Sequence, residues 1–226
     1  MTKNDTTKTR ILLAAGPIFA QKGFKAATVR EICDAAEVNV ASVNYYFGDK
    51  QALYIDSVVY ARQMRVEKVP TPKWSANTTA EEKLGSFIEM ALNRMVALKS
   101  APWQVRLLMR EILQPTEACR KLVRDYFRPF IHVLMGIIDE IVGSDLSQEK
   151  RLQLAFSIIG QCMYYRFAAD MTAMVIEDEG IDFSFDTPQL AEHITQFSLA
   201  AIKNLKLTDL PSNPQNDIQS PTGSQL

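Results

Sequence analysis

Residues 28–50 read TVREICDAAEVNVASVNYYFGDK, and the punctuation of this stretch decides the fold. Thr28 followed by Glu31 has capping-box spacing, so a helix opens there, buries Val29, Ile32 and Cys33, and closes near Ala36. Three residues later Asn39 is a good N-cap for a second short helix, which ends at Gly48. Asp49 then caps a longer helix that begins at Lys50 and carries Leu53, Tyr54, Val58 and Ala61. Tyr45, Tyr46 and Phe47 are consecutive, and neighbours on a helix lie about 100° apart, so the three rings cannot all face one core.

Before this stretch, Ile11, Leu12, Ala15, Ile18 and Phe19 form a helical stripe that Gly23 stops, and Pro17 inside it predicts a kink. After it, VPTPKWSANTT has two prolines and no period, which makes it a linker. Helical periodicity returns over 79–98, 102–113, 117–142, 148–175 and 187–205, with a bend expected at Arg128-Pro129. Residues 177–188 form an acidic loop, and the polar, Pro-rich tail predicts disorder. No run alternates like a strand, so the chain is expected to be all-α. The expected units are a helix-turn-helix domain (1–50), a connecting helix (51–68), a linker (69–78), a helical ligand-binding and dimerisation domain (79–206) and a tail (207–226).

The chain has 226 residues, 47% of them hydrophobic, and a net charge of −1. Residues 1–30 hold Lys3, Lys8, Arg10, Lys22, Lys25 and Arg30 against Asp5 alone, so the basic end is the N-terminus. Three widely spaced cysteines make no disulfide framework and fit buried thiols in a reducing compartment. ILLAAGPIFA is too short for a signal peptide, and no run approaches a membrane span, so a cytoplasmic protein with no membrane partner is expected.

A helix, a three-residue turn and a second short helix, beside a third apolar helix and a basic cluster, make a helix-turn-helix. Its second helix would enter a DNA major groove. Thr28 and Asn39 start helices whose free N–H groups and positive dipole ends suit phosphates. Val40, Ala41 and Ser42 are small enough for the first turn to approach base edges, the hydroxyl to bond them and the methyls to meet thymine. Tyr45 and Tyr46 offer hydroxyls to phosphates, and Lys50 a charge.

The run TVREICDAAEVNVASVNYYFGDKQALY, with ILLAAGPIFAQKGFKAAT before it, resembles the DNA-binding signature of the TetR family of bacterial repressors. The resemblance spans about residues 8–60. It implies a three-helix DNA-binding domain, and a fourth helix joining it to an all-α domain that binds a small-molecule inducer and dimerises. It makes Val40, Ala41, Ser42 and Asn44 base-reading candidates and Thr28, Asn39, Tyr45 and Lys50 phosphate candidates. Val43 and Phe47 take core positions, and Tyr46 stays open between core and DNA. The sequence departs from the pattern at Glu37, where the family often has Gly, and at Val40, where it often has Lys. REILQPTEA, SIIGQCMYYRFAADM and AEHITQFSLAAI resemble one TetR subgroup linked to drug-resistance and efflux genes.

The 148–175 helix is apolar nearly all round, which predicts burial against a partner subunit as well as its own core. With the 187–205 helix it would build an intersubunit four-helix bundle, with Ile158, Cys162, Phe197 and Ala201 at the dimer interface. A homodimer would present two reading helices to successive major grooves of a palindromic operator of double-stranded DNA. Trp103, Met109, His132, Gln161, Tyr165 and Arg166 are the polar and soft groups expected to line a ligand cavity, and ordinary ion pairs are the alternative for Arg166 with Asp170 and for Arg106 and Arg110 with Glu111 or Glu117. No cofactor, metal or catalysis is expected: His132 and His193 lie far from any ligand set, and no P-loop, GxGxxG or GxSxG occurs. The rival reading is a helical small-molecule binding or scaffold protein whose helix-turn-helix only packs.

Overall fold

In the computed structural model, which describes residues 3–95, 103–143, 146–180 and 186–205, every regular element is a helix. The first, α1 (Lys3–Ala26), runs on through Pro17, and its non-helical residue is Gly23 at φ 74°. The break therefore falls at the glycine. Gly23 also admits the guanidinium of Arg110, which lies 2.7 Å from where a Cβ would stand and donates to the Gln21 carbonyl at 3.3 Å. That contact closes the exposed carbonyl end of α1.

The next three helices start where their caps predict. Thr28 Oγ1 accepts from Glu31 N at 3.2 Å and opens α2 (Val29–Ala36). Asn39 Oδ1 accepts from Ser42 N at 2.9 Å and opens α3 (Val40–Phe47), and Asp49 Oδ1 accepts from Ala52 N at 2.7 Å and opens α4 (Lys50–Lys68). Glu37 adopts the left-handed conformation (φ 52°, ψ 48°) without being glycine. The Val38 N–H returns to Cys33 O at 3.0 Å and Glu37 N–H to Asp34 O at 3.3 Å, a Schellman closure that offsets the left-handed cost.

One buried cluster joins these helices through Ile11, Phe19, Ile32, Val43 and Leu53. Each such side chain contributes roughly 1.5–3 kcal/mol on leaving water. The cluster also takes Leu107 from α6 (Trp103–Leu113) and Leu122 from α7 (Glu117–Leu122), so the N-terminal head and these helices share a core. Glu111 of α6 is fully buried there. It accepts from the Tyr54 hydroxyl, from Thr116 N at 3.1 Å and from Thr116 Oγ1 at 2.9 Å. Burial, and then the Glu111 carboxylate, push the Tyr54 phenol above its ordinary pKa. The pairings expected for the α6 arginines are thus corrected: Glu111 serves Tyr54 and Thr116, and Glu117 pairs with Arg120 at 3.6 Å.

The linker 69–79 is tied down, with Trp74 Nε1 donating to Ser86 Oγ at 2.8 Å. A second capping box, Thr79 with Glu82, opens α5 (Ala80–Met95). The stretch 117–142 is α7, a wide π-turn (Val123–Phe127) and α8 (Arg128–Val142). Pro129 has no N–H for the carbonyl four residues back, and the helix widens into the π-turn just before it. The stretch 148–175 breaks in two, α9 (Gln148–Phe167) and α10 (Ala169–Asp178), at Ala168 (φ −100°, ψ 15°), where composition gives no sign. With α11 (Thr187–Leu205), α5, α8 and α9 enclose a second core around Phe87, Ile88, Leu134, Ile138 and Ile194. The tail 207–226 and residues 181–185 of the acidic loop lie outside the described residues.

Candidate nucleic-acid interface

The short helix α3 is fixed by two apolar side chains, Val43 fully buried and Phe47 nearly so, in the same cluster as Ile32. Everything else on it follows from that anchoring. Val40, Ala41, Asn44 and Tyr45 turn outward, Tyr45 being 75% exposed. The aromatic run is a graded ladder. Phe47 is in the core, the Tyr46 ring is half-buried against it at 6.4 Å, and Tyr45 meets Tyr46 edge-on at 5.0 Å. Tyr46 therefore packs on the core and still lines the outer groove with Tyr45.

That groove, about 600 Å3, runs between α3 and the start of α1, with Thr7 and Arg10 facing Asn39, Ala41, Ser42 and Tyr45 across it. Ser42 Oγ donates to Asn39 Oδ1 at 3.0 Å, so the hydroxyl is held in place and keeps its lone pairs to accept from another partner. Lys50 donates to the Lys25 carbonyl at 3.3 Å and stands 4.8 Å over the Phe24 ring, which fixes its ammonium beside the α3–α4 turn. Beneath this face burial, with Asp34 adding, pushes the Cys33 thiol above its ordinary pKa.

The basic end divides by role. Lys8 pairs with Asp56 at 3.2 Å and Lys22 with Glu31 at 2.6 Å, so both tie helices together. Arg10, Lys25 and Arg30 are exposed and have no ion-pair partner among the described residues. Sequence reading counted Arg10 only in a charge total; its place opposite Tyr45 depends on how α1 crosses α3.

The other expected residues are dispersed. Trp103 lies on Gly16, where a Cβ would come within 2.2 Å of its ring, and belongs to the N-terminal core. Met109 is half-buried on α6, His132 is exposed on α8, and Tyr165 packs on the second core. Gln161 Nε2 donates to Ser157 O one turn back at 3.4 Å. The Arg166 side chain, with its Asp170 pairing, lies outside the described residues. Of the described positions, Trp103 and Tyr165 thus belong to different cores, and no main cavity among the described residues takes more than one of the five. Two positions expected at a dimer interface are corrected as well. Ile158 and Cys162 are 3% and 1% exposed within the chain's own core, and burial pushes the Cys162 thiol up to about 12. The other two, Phe197 and Ala201, are exposed on α11. Among the described residues no helix is long and apolar enough to cross a membrane.

Comparison with known proteins matches two separate stretches of the chain. Residues 11–56 match the family described as "Bacterial regulatory proteins, tetR family", and residues 80–202 match "HTH-type transcriptional dual regulator CecR, C-terminal domain". The chain is 27% identical over 137 residues to "Probable HTH-type transcriptional regulator YttP" of Bacillus subtilis (strain 168), covering 60% of this chain and 64% of that protein, just under two thirds of its length. It is 25% identical over 177 residues to "HTH-type transcriptional dual regulator CecR" of Shigella flexneri, covering 74% of this chain and 79% of that one. A TetR-like transcriptional regulator from Rhodococcus sp. RHA1 shares the fold, with TM-score 0.62 at 16% identity over 87% of this chain and 96% of the other.

Proposed function

Since this chain belongs to the tetR-type bacterial regulatory proteins with a CecR-type C-terminal domain, we propose that it is a homodimeric DNA-binding transcriptional regulator, a repressor that a small-molecule ligand releases from a palindromic operator. The observation that carries this reading is the outward face of α3, whose exposed side chains are mostly small, hydroxylic or amidic, set beside arginines with no ion-pair partner among the described residues. Val40, Ala41, Ser42 and Asn44 read base edges in the major groove. Thr28, Asn39, Tyr45, Tyr46 and Lys50 hold phosphates, and Arg10 joins them from α1. The protein works on DNA in the cytoplasm and has no catalytic role.

The dimer reading is supported by a stripe on α9, Phe156, Gly160, Tyr164 and Phe167, all exposed, and by Phe197 and Ala201 on α11. An apolar face of this kind is stable in water when a second copy covers it. It brings two α3 helices onto one side of the duplex, about 34 Å apart. Release requires the ligand to bind the two spacings with different affinity.

A mobility-shift titration with DNA upstream of the protein's own gene tests the reading, with Tyr45→Ala and Lys50→Ala beside the unaltered chain. A specific complex weakened in both variants supports it. Weak binding that is equal in all three and indifferent to sequence favours a scaffold whose helix-turn-helix only packs.

A further inference from the structure

Where α4 meets α5 the chain buries positive charge without a counter-ion among the described residues. Arg65, 8% exposed, donates to the α5 carbonyls of Arg94 (3.1 and 2.9 Å) and Asn93 (2.6 Å). Arg94, 7% exposed, answers by donating to Val69 O at 2.9 Å, Thr71 Oγ1 at 3.1 Å and the Tyr126 hydroxyl at 3.3 Å. Arg62 lies 4.9 Å over the Tyr126 ring, with its Nε buried and without a hydrogen-bond partner among the described residues. Every acceptor named for these guanidinium groups is neutral, and none of the three is in an ion pair among the described residues. The nearby acid, Asp125, pairs with Arg124 at 3.4 Å. Burial lowers the Arg65 pKa, Tyr126 opposes that shift and the Arg94 charge adds to it. Desolvated cations held only by neutral groups are costly, and an anion is what offsets that cost.

Arg62 and Arg94 edge a cavity of about 160 Å3 whose wall is otherwise mostly apolar, chiefly Val66, Phe87, Met90, Phe130 and Val133, with Thr71, Tyr126 and the Arg124-paired Asp125 at its polar side. Its size is that of about one aromatic ring. One side is the π-turn carrying Asp125 and Tyr126, an element that recurs at functional sites. We infer that this cavity binds a small organic acid, one ring or a short branched chain bearing a single carboxylate, with the carboxylate against Arg62 and Arg94 and the apolar part on Phe87, Met90 and Phe130. The binding itself needs no DNA; its consequence rests on the ligand-released regulator proposed above. Arg62 stands twelve residues along α4 from Lys50, about 18 Å up the rod that follows the reading helix.

The test uses the full chain, with calorimetric titration and thermal shift against benzoate, phenylacetate and the uncharged isostere benzamide. Expected are saturable binding of at least one acid, benzamide weaker by at least about tenfold, and a loss of about tenfold in Arg62→Gln. Val66→Phe, which fills the cavity without touching its charges, should also abolish binding. Neither acid binding at about 10 mM to folded protein, or benzamide matching its acid, or Arg62→Gln binding unchanged, overturns the inference. A mobility shift with and without the acid keeps the two readings apart. Specific DNA binding that the acid leaves intact sinks release by this ligand, while the titration alone decides the cavity.

Discussion

The outer face of α3 and the outer face shared by α9 and α11 both expose large side chains, and their surroundings differ. Tyr45 is 75% exposed among Asn44, Ser42, Thr7 and Arg10. Phe156 and Phe197 are 55% and 60% exposed on faces that also carry Gly160, Tyr164, Phe167 and Ala201. A tyrosine amid hydroxyls, an amide and an exposed guanidinium suits a hydrated polyanion, which it can stack on and hydrogen-bond. A run of rings and small residues without charge suits another apolar surface. Exposure alone does not assign a partner; the neighbours do.

The sharpest way to break this comparison is within the aromatic ladder. Phe47→Ala should cost about 3–5 kcal/mol and unfold the head, read as a lower denaturant midpoint, because the ring is 8% exposed in the core. Phe197→Asp should leave the fold intact and convert the dimer to a chain-mass species, from twice 25.5 kDa to 25.5 kDa by sedimentation. Unaltered protein sedimenting as a monomer at micromolar concentration refutes the dimer. Tyr45→Ala should keep the thermal midpoint and lower operator affinity about tenfold, some 1.4 kcal/mol. A large stability loss in this variant would make the ring structural.

Two smaller effects refine the cores beneath these faces. Glu37→Gly should raise stability by up to about 1 kcal/mol, since glycine adopts φ 52° without the steric cost and loses part of the gain to unfolded-chain entropy. Cys162 supplies a pH signature. Its thiol is held up to about 12, against an ordinary value near 9, so above pH 9 the unfolded chain releases this proton first. Stability should therefore fall as pH rises from about 9 towards 12, and Cys162→Ala should flatten that part of the slope in chemical denaturation.

The sequence reading succeeded where the chain describes itself locally. Thr28, Asn39, Asp49 and Gly48 set their helix ends by hydrogen bonds spanning three or four residues, so spacing alone reveals them. It failed where a distant element decides. A helix apolar on all sides does not disclose its phase; Ile158 and Cys162 face the chain's own core and Phe156 faces out because α5 and α8 lie on one side. Gly16 looks like a weak point in a helix until Trp103, 87 positions later, is seen to rest on it. The buried arginines were equally invisible, because Arg65 and Arg94 answer to each other's backbone ends across the linker.

The most direct test of the central claim, that the outward face of α3 reads DNA, is a salt-resolved mobility-shift titration on the chain's own upstream DNA. The account predicts one specific complex whose affinity falls steeply and log-linearly with salt, and falls further in Tyr45→Ala and Lys50→Ala at unchanged thermal midpoint. A flat salt response, or upstream DNA bound no better than unrelated DNA by all three proteins, would contradict it.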